Sequence, residues 1–293
     1  MTKELVGIIG GSGLGDALAE QIKDVQIKKI STPFGKPSND IMVGTFGKRK
    51  IAFINRHGRG HKFGPSEVPF AANIFALKKI GVRTIISTCA VGSLREEIKP
   101  AELVVVDQII DKTYKRQNSF FAGFGAVHCE MSEPVCGRLS GLIVKAGRNI
   151  GVKVHPKGTY VCMEGPQFST RAESLMHKGW GGDLIGMTAM PEAKLAREAQ
   201  ICYALIALVS DFDCWRGKRA MDKQTLLREI IGNLNTASQN CMELVRHVLV
   251  RHRRNEEIAD SGCGCRKSLQ LAVWIKEEQI KKAVKKRLGV LFE

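Results

Sequence analysis

Short apolar runs alternate with stretches of helical periodicity along most of the chain. Leu5-Val6-Gly7-Ile8-Ile9 is an apolar run closed by glycines, which predicts a buried strand. Arg49 to Ile54, Val82 to Thr88, Glu102 to Asp107, Gly158 to Met163, Asp183 to Met187 and Ile201 to Ser210 predict further strands. Between them, Val68 to Ile80 carries apolar residues at helical spacing and meets Gly81, a suitable C-terminal cap. A second helix, Glu133 to Ile150, starts near Pro134 and stops at Gly151. Ser169 to Lys178, opened by a serine cap, and Pro191 to Gln200 are predicted as helices too, and from about Asp222 the pattern is mainly helical. No internal repeat or low-complexity linker interrupts this order. The alternation predicts one α/β domain over 1–293, with a basic, mainly helical C-terminal region from about residue 251. Functional residues in such a fold gather at strand ends.

With 293 residues, 44% of them hydrophobic, the chain is long enough for one large core or two ordinary ones. Aromatics make up 6%, which disfavours a protein that stacks on nucleic-acid bases. The formal net charge is +16, and roughly half of the excess lies after Trp215, in runs such as Arg251-His252-Arg253-Arg254 and Lys285-Lys286-Arg287. No helix-turn-helix, zinc-finger or RRM signature accompanies that charge, so a solvated helix face is the favoured reading over nucleic-acid contact. The first residues lack a secretory apolar run, and no stretch approaches membrane-spanning length, so a cytoplasmic protein is expected. Of nine cysteines, Cys129, Cys162, Cys202, Cys214 and Cys241 read as ordinary thiols in apolar segments. Cys263-Gly264-Cys265 differs: the spacing suits redox exchange, a strained disulfide or two reduced loop thiols better than a four-ligand zinc site, which wants a second pair.

Several segments at strand ends carry chemistry. Gly10-Gly11-Ser12-Gly13-Leu14-Gly15 is neither a dinucleotide fingerprint nor a P-loop, yet exposed amides beside glycines can hold a small anion; a tight structural turn is the alternative. Asn55-Arg56-His57-Gly58-Arg59-Gly60-His61 packs cationic and titratable side chains into one turn, and Arg is shaped to grip an oxyanion. Ser87 to Ser93 offers small side chains, hydroxyls and amides at another strand end. Phe168, near a helix start, could stack on a planar ligand or sit in a core. Asp211 and Asp213, two apart after an apolar strand, face the same way if strand geometry persists.

Together these segments resemble the trimeric purine nucleoside phosphorylase superfamily, and within it the 5'-methylthioadenosine phosphorylases. The resemblance runs from Gly7 to about Trp215 through Gly7-Ile8-Ile9-Gly10-Gly11-Ser12-Gly13, Thr32-Pro33-Phe34-Gly35-Lys36-Pro37-Ser38, Arg56-His57-Gly58-Arg59, Gly92-Ser93-Leu94-Arg95-Glu96-Glu97, Glu164-Gly165-Pro166, Phe168-Ser169, Arg171-Ala172-Glu173 and Asp211-x-Asp213-Cys214-Trp215. It implies a distorted, barrel-like mixed β-sheet surrounded by helices, assembled as a homotrimer or a dimer of trimers. It implies inorganic phosphate as a co-substrate, with no organic cofactor and no metal. Ser12, Arg56, His57, Cys89, Ala90 and Thr188 then form the phosphate site, and Cys89, where many relatives carry a hydroxyl residue, acts through its backbone. Met187 lies under the ribose, Phe168 and Ser169 line the base pocket, and Asp211 and Asp213 face the purine edge. His128 reaches into the neighbouring subunit's site. The stretch Gly217 to Thr225 is shorter and more basic than the family pattern, and Leu226 is the match to the helix wall beside the methylthio group.

The implied reaction is phosphorolysis of 5'-methylthioadenosine to adenine and 5-methylthioribose 1-phosphate. The nearer alternative is a phosphorylase acting mainly on adenosine or inosine; the alternative from another class is a non-catalytic nucleotide- or nucleic-acid-binding protein. Phosphorolysis builds positive charge on the ribosyl ring and negative charge on the departing purine, and both need stabilising. Asp211 is the expected proton donor to the purine, directly or through a water. Asp213 accepts from the 6-amino group of adenine, whereas a 6-oxo group meets a carboxylate unfavourably. Asp213→Asn is therefore expected to shift preference from adenine nucleosides toward inosine, because a mismatched buried hydrogen bond discriminates strongly. Phosphorolysis rates on both substrates check this, and an unchanged ratio removes Asp213 from base selection.

Overall fold

The computed structural model describes residues 5–12, 14–47, 49–216, 222–251, 258, 262–274 and 287–293. Gly13 and most of the basic runs, 252–257 and 281–286, lie outside the described residues, as does 217–221. No described helix is long and apolar enough to cross a membrane.

Among the described residues, eleven strands form one mixed sheet. The strands are β1 (Leu5–Gly10), β2 (Lys23–Lys28), β3 (Ile41–Phe46), β4 (Arg49–Asn55), β5 (Val82–Ser93), β6 (Leu103–Val105), β7 (Gln108–Asp111), β8 (Val154–His155), β9 (Thr159–Cys162), β10 (Leu184–Gly186) and β11 (Cys202–Phe212). The bounded α-helices among the described residues are α1 (Gly15–Ala19), α2 (Phe70–Lys79), α3 (Gly137–Ile150), α4 (Arg171–Gly179), α5 (Glu192–Glu198) and α6 (Lys223–Arg251). The main path runs β2-β3-β4-β1-β5-β10-β9-β7, and β11 joins β5 to β6 and β8. β1 lies parallel to both β4 and β5, and β11 lies parallel to β5. β5 therefore carries three partners, because its later residues Gly92 and Ser93 pair antiparallel with β10. Two large apolar cores result, beside a small cluster of Leu94, Val161 and Ile185. One joins α2 and α5 to the sheet through residues such as Ile74, Phe75, Leu195 and Leu205; the other joins α1, α3 and α6 through Leu18, Leu139, Val245 and Ile206. The predicted α/β class and the mixed sheet flanked by helices are what the structure has.

Several element boundaries differ from expectation for physical reasons. β5 does not stop at Thr88 but runs to Ser93, since β11 and β10 both offer hydrogen-bonding edges to its second half. α3 starts at Gly137 rather than near Pro134, with Cys136 extended at its N-cap and its amide donating to Tyr203 O at 2.7 Å. The cap of α4 is Thr170, not Ser169: Thr170 and Glu173 form a reciprocal capping box. β2, β3, β7 and β8 have no counterpart in the predicted pattern. β2 is exposed at every position, so it gives no apolar run, and β8 has only two residues.

Gly151 ends α3 with φ +69°, the left-handed cap that glycine adopts without cost. A Cβ there would meet nothing within 4 Å, and the same is true at Gly141 inside the helix. The two positions therefore isolate backbone conformation from packing. Gly151→Ala is expected to destabilise the fold by about 1 kcal/mol and Gly141→Ala to stabilise it by about 0.5–1 kcal/mol. Urea denaturation midpoints check the opposite signs.

Candidate active site

The C-terminal ends of β1 and β4 emerge side by side against the middle of β5, because the three strands are parallel. The Arg56 amide donates to Gly10 O at 3.0 Å and the Gly11 amide to Thr88 Oγ1 at 3.3 Å, so the two turns are tied to each other and to β5. Gly11 has to be glycine: a Cβ would stand 2.3 Å from Thr88 O and 2.7 Å from Arg56 Nη1. The glycine turn of the sequence is thus a close-packing device under the arginine.

Arg56 is fully buried and held by a network. Its Nε donates to Glu192 Oε2 at 2.8 Å, and Nη2 donates to Glu192 Oε1 at 3.0 Å and to Ser87 Oγ at 2.5 Å. Nη1 donates to Thr88 O at 2.8 Å. Burial opposes the charge, but the Glu192 carboxylate outweighs it and holds the guanidinium above its ordinary pKa. The bidentate grip expected for an anion is thereby directed at Glu192, and one N–H of Nη1 is left over for a ligand. Glu192, at the start of α5, is a site residue that the sequence reading passed over; an isolated Glu at a helix start carries no signal of its own.

His57 Nδ1 lies 2.9 Å from Phe63 O, a geometry that places the proton on Nδ1. Burial, with the Arg56 charge next in weight, lowers its pKa to about 4. The ring is then neutral near pH 7 and its Nε2 is an acceptor until a bound anion favours protonation. His57 stacks on His61 at 4.9 Å, and Ser12 Oγ is 2.9 Å from His61 Nε2. Cys89 is buried, and burial pushes its thiol up to about 12, so it stays protonated near pH 7.

A cavity of about 470 Å³, within the usual range of about 300–1,000 Å³ for small-molecule sites, joins this turn to the two acids. Ser12, Arg56, His57, Cys89, Ala90 and Thr188 line it, and so do Phe168, Ser169, Met187, Asp211 and Asp213. The structure thus brings together all of the expected residues except His128 and Leu226. Leu226 sits one helical turn too early in α6; Ile230 and Leu234, at the same four-residue spacing, reach the cavity instead. The reason is local: Asp222 Oδ1 accepts from the amides of Gln224 and Thr225, so α6 begins just before Leu226, which stays 37% exposed. His128 lines a separate cleft, with its amide on Ala272 O at 2.8 Å and its ring edge-on to Trp274. Phe168 borders the cavity with 85% of its surface exposed, so it is neither a core aromatic nor packed in place.

The acids are aimed by an irregularity in β11. Val209 pairs with Val91 and Asp211 with Gly92, which leaves Ser210 as an extra residue. Ser210 Oγ lies 2.6 Å from Asp211 Oδ1, and Asn233 Nδ2 donates to Ser210 O at 3.1 Å. Beyond the strand, the Asp213 amide and Trp215 Nε1 both donate to Ser93 O, at 3.0 and 2.9 Å, and Arg216 pairs with Glu96. Asp213 Oδ2 is shielded from solvent with no hydrogen-bond partner among the described residues. A buried acceptor of this kind calls for a donor from a ligand.

A second anchor was also missed by the sequence reading. Arg116 Nη1 donates to Met187 O and Met190 O, both at 2.6 Å, and Arg116 Nε to Glu164 Oε1 at 3.1 Å. Burial raises the Glu164 pKa, but bonds from Ser66, the Tyr114 amide and Arg116 prevail and hold it down at about 2. This pair fixes the Met187–Met190 turn that presents Met187 and Thr188 to the cavity.

The His57 environment has a consequence for pH. Its folded pKa of about 4 lies below the ordinary 6.5, so the unfolded chain binds the proton more tightly. Stability from this group is complete above about 6.5 and is lost as pH falls toward about 4. The pH dependence of urea unfolding over that window should be steeper in the wild-type chain than in His57→Gln. Equal slopes would assign the low-pH loss to other groups.

The family model described as "Phosphorylase superfamily" matches residues 5–250. An S-methyl-5'-thioadenosine phosphorylase of Cereibacter sphaeroides is 45% identical over 261 residues, covering 89% of this chain and 88% of that one. That of Gloeobacter violaceus is 42% identical over 290 residues, covering 98% and 94%. Among solved structures, a methylthioadenosine phosphorylase from an antarctic soil metagenomic library superposes with a TM-score of 0.85 at 41% identity, covering 99% of both chains. The methylthioadenosine phosphorylase of Schistosoma mansoni in complex with adenine gives 0.82 at 33% identity, covering 93% of this chain and 99% of that one. The chain belongs to the phosphorylase superfamily, and within it to the S-methyl-5'-thioadenosine phosphorylase family.

Proposed function

We propose that the protein catalyses the phosphorolysis of 5'-methylthioadenosine. The observation that carries this is the single cavity in which the Arg56–His57 turn and the Asp211–Asp213 pair both take part. Phosphate sits against the amides of Ser12 and Ala90, the remaining Nη1 hydrogen of Arg56 and Thr188. A phosphate dianion favours the protonated form of His57, which can then donate from Nε2 while Nδ1 keeps its bond to Phe63 O. The phosphate oxygen attacks the anomeric carbon, the bond from that carbon to purine N9 breaks, and the bonding pair leaves with the base. Holding the nucleophile in place is the largest contribution. Asp211 delivers a proton to the base, directly or through water, and the unpartnered Oδ2 of Asp213 accepts from the 6-amino group of adenine.

The apolar side chains of Ile230 and Leu234 favour a methylthio group over a 5'-hydroxyl, which would find no partner on them. Phosphate is the co-substrate, and the reaction needs no organic cofactor or metal. His128 lies away from the cavity of its own chain, which fits a trimer in which it completes a neighbour's site. A cytoplasmic location belongs to the same reading.

Release of adenine from methylthioadenosine is expected to require phosphate and to be faster than from adenosine and much faster than from inosine. Chromatographic assay of the free base with and without phosphate checks this. Hydrolysis independent of phosphate, or a preference for inosine, would overturn the assignment.

A further inference from the structure

Spacing in the sequence leaves Cys263-Gly264-Cys265 without a second cysteine pair, but the fold provides one. Cys136 precedes α3 and Cys202 opens β11, and the bond from the Cys136 amide to Tyr203 O holds these two elements together. The four sulfur atoms of Cys136, Cys202, Cys263 and Cys265 all lie within 4.8 Å of one another, and the Cys136 and Cys263 sulfurs are 3.6 Å apart. Four thiolates bound to one zinc at about 2.3 Å stand about 3.8 Å from each other. Three of the four cysteines are buried and Cys263 is half-buried.

We propose that these four cysteines form a structural zinc site that fastens the segment after α6 to the central fold. The donor set is the all-thiolate tetrahedron that selects zinc, and none of its members lines the substrate cavity. Binding converts four thiols to thiolates and releases four protons, leaving a centre of charge −2. Two guanidinium groups stand where that charge needs them. Arg197 Nη1 is 3.6 Å from Cys265 Sγ, and Arg138 Nη2 is 3.9 Å from Cys202 Sγ while it also donates to Ile258 O at 3.0 Å. Such second contacts orient thiolate ligands and offset their charge. A cleft of about 540 Å³, bordered by Cys136, Cys263, Cys265 and both arginines, gives the ion a way in. The CGC pair alone could make only half of the tetrahedron; Cys202, which reads from sequence as an ordinary core thiol, completes it with Cys136.

The test uses the full chain purified under reducing, metal-replete conditions. Elemental analysis is expected to find about one zinc per chain. Replacing zinc with cobalt(II) should produce the strong visible bands of a tetrahedral tetrathiolate centre, a readout that needs no variant. Cys263→Ser with Cys265→Ser should abolish both the zinc and the cobalt bands, whereas Cys129→Ser should keep them. Dialysis against a chelator should lower the melting temperature of the wild-type chain and leave that of the double variant unchanged. A chain without zinc and without cobalt bands overturns the proposal, whether its mass shows two hydrogens lost per disulfide or four free thiols. Stoichiometric iron in place of zinc overturns the assignment of the metal. Phosphorolysis assays are independent of all these readouts, so failure here leaves the proposed reaction standing.

Discussion

The site is organised around one buried ion pair. Arg56 and Glu192 are both withdrawn from solvent, and taking two charges out of water is costly unless each is fully bonded. Here the demand is met from four elements. The turn after β4 supplies the arginine, β5 supplies Ser87 and the Thr88 carbonyl, α5 supplies Glu192, and β11 supplies the Tyr203 hydroxyl, which donates to Glu192 Oε1 at 2.8 Å. Loss of either partner from such a pair costs about 3–5 kcal/mol, since the other is left charged and unpaired. The strands around the anion turn cannot shift independently without breaking this arrangement. The arginine consequently has a fixed plane before any ligand arrives, which is what pre-organised electrostatics needs.

β5 extends that order to the far end of the cavity. Its first half is sandwiched between β1 and β11 and holds the arginine network; its last residues carry the Ser93 carbonyl that receives both Asp213 and Trp215. The motif segments that looked unrelated along the chain are therefore contacts of one another. Gly92-Ser93 and Glu96 hold the Asp213-Trp215-Arg216 corner, and Glu164 holds the arginine that fixes Met187. What reads as a family pattern is a set of mutual supports for two faces of one cavity.

Much of this was legible in the sequence, and the losses have physical causes. The buried strands and α2, α3 and α5 announced themselves through apolar runs and glycine stops, because burial on both faces or along one stripe leaves a periodic mark. β2 left none, being exposed throughout, and the end of β5 was misplaced because small residues such as Ala90 and Gly92 look like a loop. Site residues were legible through clustering at strand ends and through resemblance. Glu192 and Arg116 were not, since each acts on a partner far away in sequence and neither stands in a distinctive local pattern. Leu226 was misjudged by one turn of α6, a distance that depends on where Asp222 starts the helix. The sulfur cluster was half legible: one pair is contiguous, and the other exists only once α3 and β11 meet.

The extra residue at Ser210 bears on which side chains of β11 face the cavity. Alternation along a strand is a matter of parity, so whether Asp211 looks into the cavity depends on an odd or even count of residues from the paired region. Pairing Ser210 with Gly92 instead would close the bulge, move Asp211 opposite Ser93 and turn its side chain to the other face without altering a single chemical group. Conservative exchange at the acids themselves is a gentler change than that one-residue slip of register. Shifts of register along β11, rather than substitutions, are accordingly the events that would turn this face of the cavity over.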